Sequence, residues 1–193
     1  CSSRCSSSII SVSNNISFCA LDLETTGLNS QTDQIIEIGL QAFTLNEIGK
    51  TYNTFVKPTK RIPKKISLLT GIKNGDVQKA PSIEEIKEDI REFIGDKIII
   101  GHNLPFDLSF LSTHGIEFEN NTCDTLHFSY MMSPNAPDYT LAGLANYLNI
   151  SQETSHRALA DSITCMNLFN AELIKFQNEA NDIYAKHLFT LYE

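Results

Sequence analysis

Ile16 to Glu24 is a compact, mostly apolar run ending in acids, and it predicts a strand buried on both faces. Gln34–Thr44 and Lys50–Val56 predict two more strands, with the turn-like Leu45-Asn46-Glu47-Ile48-Gly49 between them. Three strands with short connections imply an antiparallel meander. Lys57–Lys65 follows, punctuated by Pro58 and Pro63, and reads as a loop.

From Ser82 the period becomes helical. Ser82 and Glu85 form a capping box, and Ile83, Ile86, Ile90, Phe93 and Ile94 recur at helical spacing up to Gly95. Lys97–Gly101 predicts a short buried strand. A helix carrying Phe106, Asp107, Phe110 and Leu111 comes next and stops near Gly115. Thr140 is placed to cap another helix through Leu141, Leu144, Ala145 and Leu148. A long helical region begins near Arg157 and runs towards Phe176, with room for a break before the C-terminus. A meander followed by alternating helices and strands predicts an α/β domain around one mixed sheet. The Ser-rich stretch 1–15 has little to bury and reads as a disordered leader or cloning remnant, leaving 16–193 as the domain.

Length and composition agree with this picture. The 193 residues suit one domain, and a hydrophobic fraction of 41% supplies a core. Nothing approaches the roughly 18 consecutive apolar residues of a membrane span, so no membrane partner is expected. Five cysteines without a C-x-x-C pair argue against a disulfide framework or a zinc site. They fit a reduced, cytoplasmic protein.

The charge narrows the function. A net charge of −8 is wrong for a tight passive binder of nucleic acid, whose affinity rests on phosphate contacts. It leaves open an enzyme whose carboxylates collect cations that then meet a phosphate. Lys57, Lys60, Arg61, Lys64 and Lys65 form the one basic cluster, either a solvated surface or a guide for single-stranded nucleic acid.

The candidate chemistry lies at element ends. Alternation along the first strand puts Asp22 and Glu24 on one face, continuing the stripe of Phe18 and Ala20. Two close carboxylates in such a place must be neutralised by protons or by cations. Alone, the pair reads more simply as the start of the loop Thr25-Thr26-Gly27. Asp107 sits near the start of the helix after Gly101-His102-Asn103, where open α/β sheets place ligands and where an acid also suits the helix dipole. Asp161 falls on the second turn of a helix starting near Arg157, among apolar neighbours, with His156 just before it. Together these elements supply an oxygen-rich set suited to Mg²⁺ or Mn²⁺.

Here the sequence resembles the DEDDh, or DnaQ-like, 3′→5′ exonucleases, a family that includes the proofreading epsilon subunit of bacterial DNA polymerase III. The resemblance runs from about Phe18 to Leu173. Asp22-Leu23-Glu24-Thr25-Thr26-Gly27-Leu28 resembles the first motif, Ile35-Ile36-Glu37-Ile38-Gly39 the second strand, and Leu69-Thr70-Gly71-Ile72 the turn after it. Gly101-His102-Asn103 with Phe106-Asp107 and Phe110-Leu111 resembles the second motif, followed by Asp124-Thr125-Leu126. His156-Arg157-Ala158-Leu159 with Asp161 resembles the third.

The resemblance implies an RNase H-like fold, a five-stranded mixed sheet with helices around it, and two Mg²⁺ or Mn²⁺ ions roughly 3.5–4 Å apart. It implies that Asp22 is shared by both metals, Glu24 and Asp161 serve one, and Asp107 helps hold the other. His156 would take a proton from the attacking water, so activity is expected to rise with pH as that imidazole becomes neutral. Thr25 and Thr26 would meet the terminal 3′ nucleotide, Leu28, Ile72 and Phe106 would flank its base or sugar, and Asn103 would orient the scissile region. Packing explains Leu28 and Ile72 equally well. Single-stranded DNA is the favoured substrate, released as nucleoside 5′-monophosphates, with a DNA polymerase catalytic subunit as a further candidate partner. The alternatives are an exoribonuclease of the oligoribonuclease or RNase T kind and a non-catalytic binding module on the same fold.

Overall fold

The computed structural model describes residues 16–152 and 156–190, the last ten as helical backbone only. The reading of 1–15 as a leader lies outside the described residues. β1 (Ser17–Thr25), β2 (Ile35–Thr44) and β3 (Ile48–Phe55) form the expected antiparallel meander. α1 (Lys64–Thr70), α2 (Asn74–Val77) and α3 (Ile83–Ile94) follow, then β4 (Ile98–Gly101) and α4 (Leu104–Ser112). β5 (Thr122–Asp124), α5 (Thr125–Met132), α6 (Leu141–Tyr147) and α7 (Ala158–Thr190) complete the order. The five strands run β3-β2-β1-β4-β5, with β4 parallel to both β1 and β5.

Both faces of the sheet are covered, and alternation in β1 decides what each face meets. Cys19, Leu21 and Leu23 pack with Ile83, Ile86, Ile90 and Ile94 of α3 and with Phe110 and Leu111 of α4. Phe18 and Ala20 turn the other way, onto Cys165, Met166 and Phe169 of α7. Phe18 stacks on Phe43 at 5.1 Å and meets Phe169 at 5.3 Å. The central strands are therefore apolar on both faces, whereas β3, at the sheet edge, is largely exposed.

Several boundaries differ from the expected ones. β3 begins at Ile48, because Ile48 pairs with Phe43 and the hairpin is already closed by Thr44 N–H donating to Glu47 O at 2.9 Å. Gly49 is thus a strand residue. A Cβ there would lie 2.9 Å from the Ala42 carbonyl oxygen. Lys64 and Lys65 belong to α1 rather than to the preceding loop. Cations in a first turn oppose the helix dipole, and Pro63 caps without a side-chain bond, so no start signal is written there. Residues 158–190 contain neither Gly nor Pro, and α7 accordingly continues unbroken past Phe176.

Candidate active site

β1 carries Asp22 and Glu24 on its α7-facing side, directly across from Gly39 and Glu37 of β2. α4 brings Asp107 to the same strand end, where its Oδ1 accepts the Leu23 N–H at 3.0 Å. α7 brings Asp161, which lies in the first turn rather than the second because the helix begins at Ala158. Its Oδ2 accepts the His156 N–H at 2.8 Å. One ligand atom each from Glu24, His156 and Asp161 lie within 4.8 Å of one another.

Asp22 and Asp107 stand outside that group of three, Asp107 on the strand end through Leu23, and the acids act on one another through charge. Burial pushes the Asp22 carboxyl well above its ordinary range, and Asp107, Asp161, Glu24 and Glu37 push it further. Asp107 is raised by burial, which outweighs the bond from Leu23. Glu24 is pushed up to about 7, by burial first and then by Asp161 and Glu37, against the pull of Arg157. Asp161 is raised by burial despite the His156 N–H. Clustered carboxylates that fight ionisation are the donor set of a divalent cation site, with hard oxygen ligands predominating. The residues present fit the expected metals.

The other expected site residues differ in burial and in what holds them. Thr25 and Thr26 are buried and build the turn after β1: Thr25 Oγ1 donates to Gly27 O at 2.6 Å, and Thr26 Oγ1 accepts from Gln34 N at 2.9 Å. Leu28 is 87% exposed and free to meet a ligand. Ile72 is not free. It is buried against Ile36, Ile62 and Val77, so packing accounts for it. Asn103 is exposed and adopts φ 61° as the N-cap of α4, its N–H held by Asp124 Oδ1 at 2.9 Å. Phe106 is half-buried, 5.0 Å from Phe110 between ring centroids.

The RNase_T family model, described as exonuclease, matches residues 19–169, the span that contains every one of these side chains. The chain belongs to the RNase T exonuclease family. Among relatives of this exonuclease domain, the DNA polymerase III subunit epsilon of Aquifex aeolicus (strain VF5) is 30% identical over 157 residues, covering 79% of this chain and 78% of its own. A PolC-type DNA polymerase III of Clostridium perfringens is 34% identical over 163 residues, covering 82% of this chain. This exonuclease domain spans 11% of that relative's length. Exonuclease X in complex with a 5′-overhanging duplex DNA shares the fold, with a TM-score of 0.68 at 23% identity over 85% of this chain and 93% of its own. The sheet and its flanking helices are the RNase H-like exonuclease fold. No helix among the described residues is long and apolar enough to cross a membrane.

Two residues of the exonuclease domain bear on the site without having been singled out individually by sequence. Glu37 is buried in β2 and takes Arg157 and the Ala158 N–H on its carboxylate. Gly39 lies against the start of α7, where a Cβ would sit 2.2 Å from the Ala158 carbonyl carbon. The signals were present: an acid inside Ile-Ile-Glu-Ile is costly unless paired, and a glycine inside a strand marks a close backbone approach.

Proposed function

We propose that this domain is a divalent-metal-dependent 3′→5′ exonuclease that removes nucleoside 5′-monophosphates from single-stranded DNA. One observation carries the reading: Glu24 of β1 and Asp161 of α7 meet beside His156, and α4 holds Asp107 on the Leu23 N–H of the same strand end. Asp22, Glu24, Asp107 and Asp161 would hold two Mg²⁺ or Mn²⁺ ions. When bound, these ions polarise the phosphoryl oxygens and favour the attacking and leaving oxygens.

The remaining work falls to the chain's own groups. His156 is exposed and can accept the proton of the attacking water. The new bond joins that water's oxygen to phosphorus. The bond from phosphorus to the 3′ oxygen of the penultimate nucleotide breaks, and that oxygen takes up a proton. Leu28, Phe106 and Asn103 line the approach, and Thr25 and Thr26 shape its floor through their turn.

DNA is favoured over RNA because DNA polymerase III proteins are prominent among the relatives, and a polymerase catalytic subunit is proposed as a partner on the same ground. The basic loop supports a single-stranded path. Lys57, Lys60 and Arg61 line a groove of about 380 Å³ with Asn74 and Gln78. Gln34 ties this loop to the site: its Oε1 accepts from Thr59 N at 2.8 Å, while its own N–H bonds Thr26. Free thiols at Cys19, Cys123 and Cys165 suit the reducing cytoplasm.

Digestion of 5′-labelled DNA and RNA strands of one sequence with Mg²⁺ tests the reading. The expected result is a ladder shortening from the 3′ end, faster on DNA, absent with Asp161→Ala and slowed ~10²–10⁴-fold with His156→Ala. A faster RNA ladder would reassign the domain as an exoribonuclease. No ladder on either strand, with Mn²⁺ also tried, would make it a binding module.

A further inference from the structure

Glu37 is a fifth carboxylate beside the site, and the chemistry above gives it no role. It stands across the sheet from Glu24 and is 1% exposed. Both of its oxygens are nevertheless engaged. Oε2 accepts from Arg157 Nε at 3.0 Å and from Ala158 N at 3.2 Å, and Oε1 accepts from Arg157 Nη2 at 2.8 Å. This is the two-point fork of a guanidinium on a carboxylate, strong and directional. The same guanidinium lies over the Phe55 ring, 5.4 Å from its centroid, so Arg157 is fixed from a second side. Glu37 thus spends both oxygens on the start of α7.

What the pair holds is the turn into α7. His156 has φ 62°, a left-handed conformation that a side chain with a Cβ disfavours. Such a turn persists when its surroundings impose it. The His156 N–H bond to Asp161 Oδ2 closes it from within. Glu37 closes it from outside, gripping the two residues that follow His156, and it does so from β2, a strand paired on both sides. Gly39 lets the helix start close enough for that grip.

We propose that Glu37 and Arg157 are positioning residues for the reaction: their paired bonds fix the His156 turn and the first turn of α7, so that His156 and Asp161 face Glu24. The proposal rests on the roles given above to His156 and Asp161. It makes Glu37 a carboxylate withheld from the metals, set apart from the acids that bind them.

Glu37→Gln and Arg157→Lys test it. Glu37→Gln keeps the shape and replaces one acceptor with an NH₂ group facing donors. Arg157→Lys keeps the charge and loses the fork, at a side chain that is 41% exposed. For each variant, kcat and KM on a single-stranded oligomer are measured with the melting temperature and the number of Mn²⁺ ions bound. The expected result is a kcat lower by about 10–100-fold, with KM changed less than about threefold and the Mn²⁺ count unchanged. Wild-type kcat in both folded variants would overturn the proposal, as would a change confined to KM. A lower Mn²⁺ count in Glu37→Gln would make Glu37 a ligand instead, and unfolding of both variants would make the pair merely structural. If wild-type protein neither binds Mn²⁺ nor shortens a strand, the site reading fails and the positioning role with it. An active wild type matched by both variants sinks the positioning role alone.

Discussion

Burial and its acidic neighbours push the Asp22 carboxyl well above its ordinary range, and Asp107 is raised beside it. Without a cation, this corner of the fold works against its own stability. Asp22→Asn removes the cost of ionising this buried carboxyl while preserving shape, so it should raise the metal-free melting temperature as it abolishes strand shortening. The rise should be about 2–4 °C for each kcal/mol of that cost relieved. Thermal melts in chelator check this, and a lower melting temperature would mean that Asp22 has a stabilising partner. At this scale the sequence was most informative where chemistry and periodicity coincide. Asp22 and Glu24 could be placed on one face by alternation alone. Ile72 could not be resolved, because an apolar residue at a turn looks the same whether it touches a ligand or, as found, packs on Ile36 and Val77.

Among the elements, the contact of α7 with β2 decides the site, since it delivers Asp161 and His156 to the end of β1. Gly39 is the point of closest approach. Gly39→Ala would place a Cβ 2.2 Å from the Ala158 carbonyl carbon, a backbone atom that cannot step aside cheaply. The expected cost is about 1–3 kcal/mol in urea denaturation, with a fall in kcat as the helix start is displaced. An unchanged kcat would show that α7 can shift without misplacing Asp161. β1 to β4 and α3 were legible because burial imposes their period and a capping box marks the helix. α1 and β5 were not. α1 starts on two lysines after a proline, and β5 is three residues long with Thr122 and Asp124 at its ends. Its place is set by pairing with β4 and by Asp124, which bonds Asn103 N and Leu126 N, contacts invisible along the chain.

For the whole molecule, a net charge of −8 is compatible with the proposed nucleic-acid substrate because acids are concentrated where the proposed metals would bind and cations lie along one loop. The same arrangement couples stability to pH. Glu24 is raised from 4.5 to about 7, by burial first, so the folded protein retains a proton that the unfolded chain gives up. Its stabilising contribution is complete below pH 4.5 and is lost as pH rises towards 7. Asp22, Asp107 and Asp161 are shifted in the same direction. The metal-free melting temperature should therefore fall between about pH 5 and 7.5, and saturating Mn²⁺ should restore more of it at the upper end. A melting temperature that rises across this window without metal would contradict the assignment of these shifts.

Calorimetric titration of Mn²⁺ into the protein near pH 7, repeated in buffers of different ionisation enthalpy, tests the central claim most directly. Two ions should bind with net proton release, and Asp22→Ala should bind neither tightly. Absence of binding, or binding without proton release, would contradict a site in which buried carboxylates give up protons to receive a pair of metals.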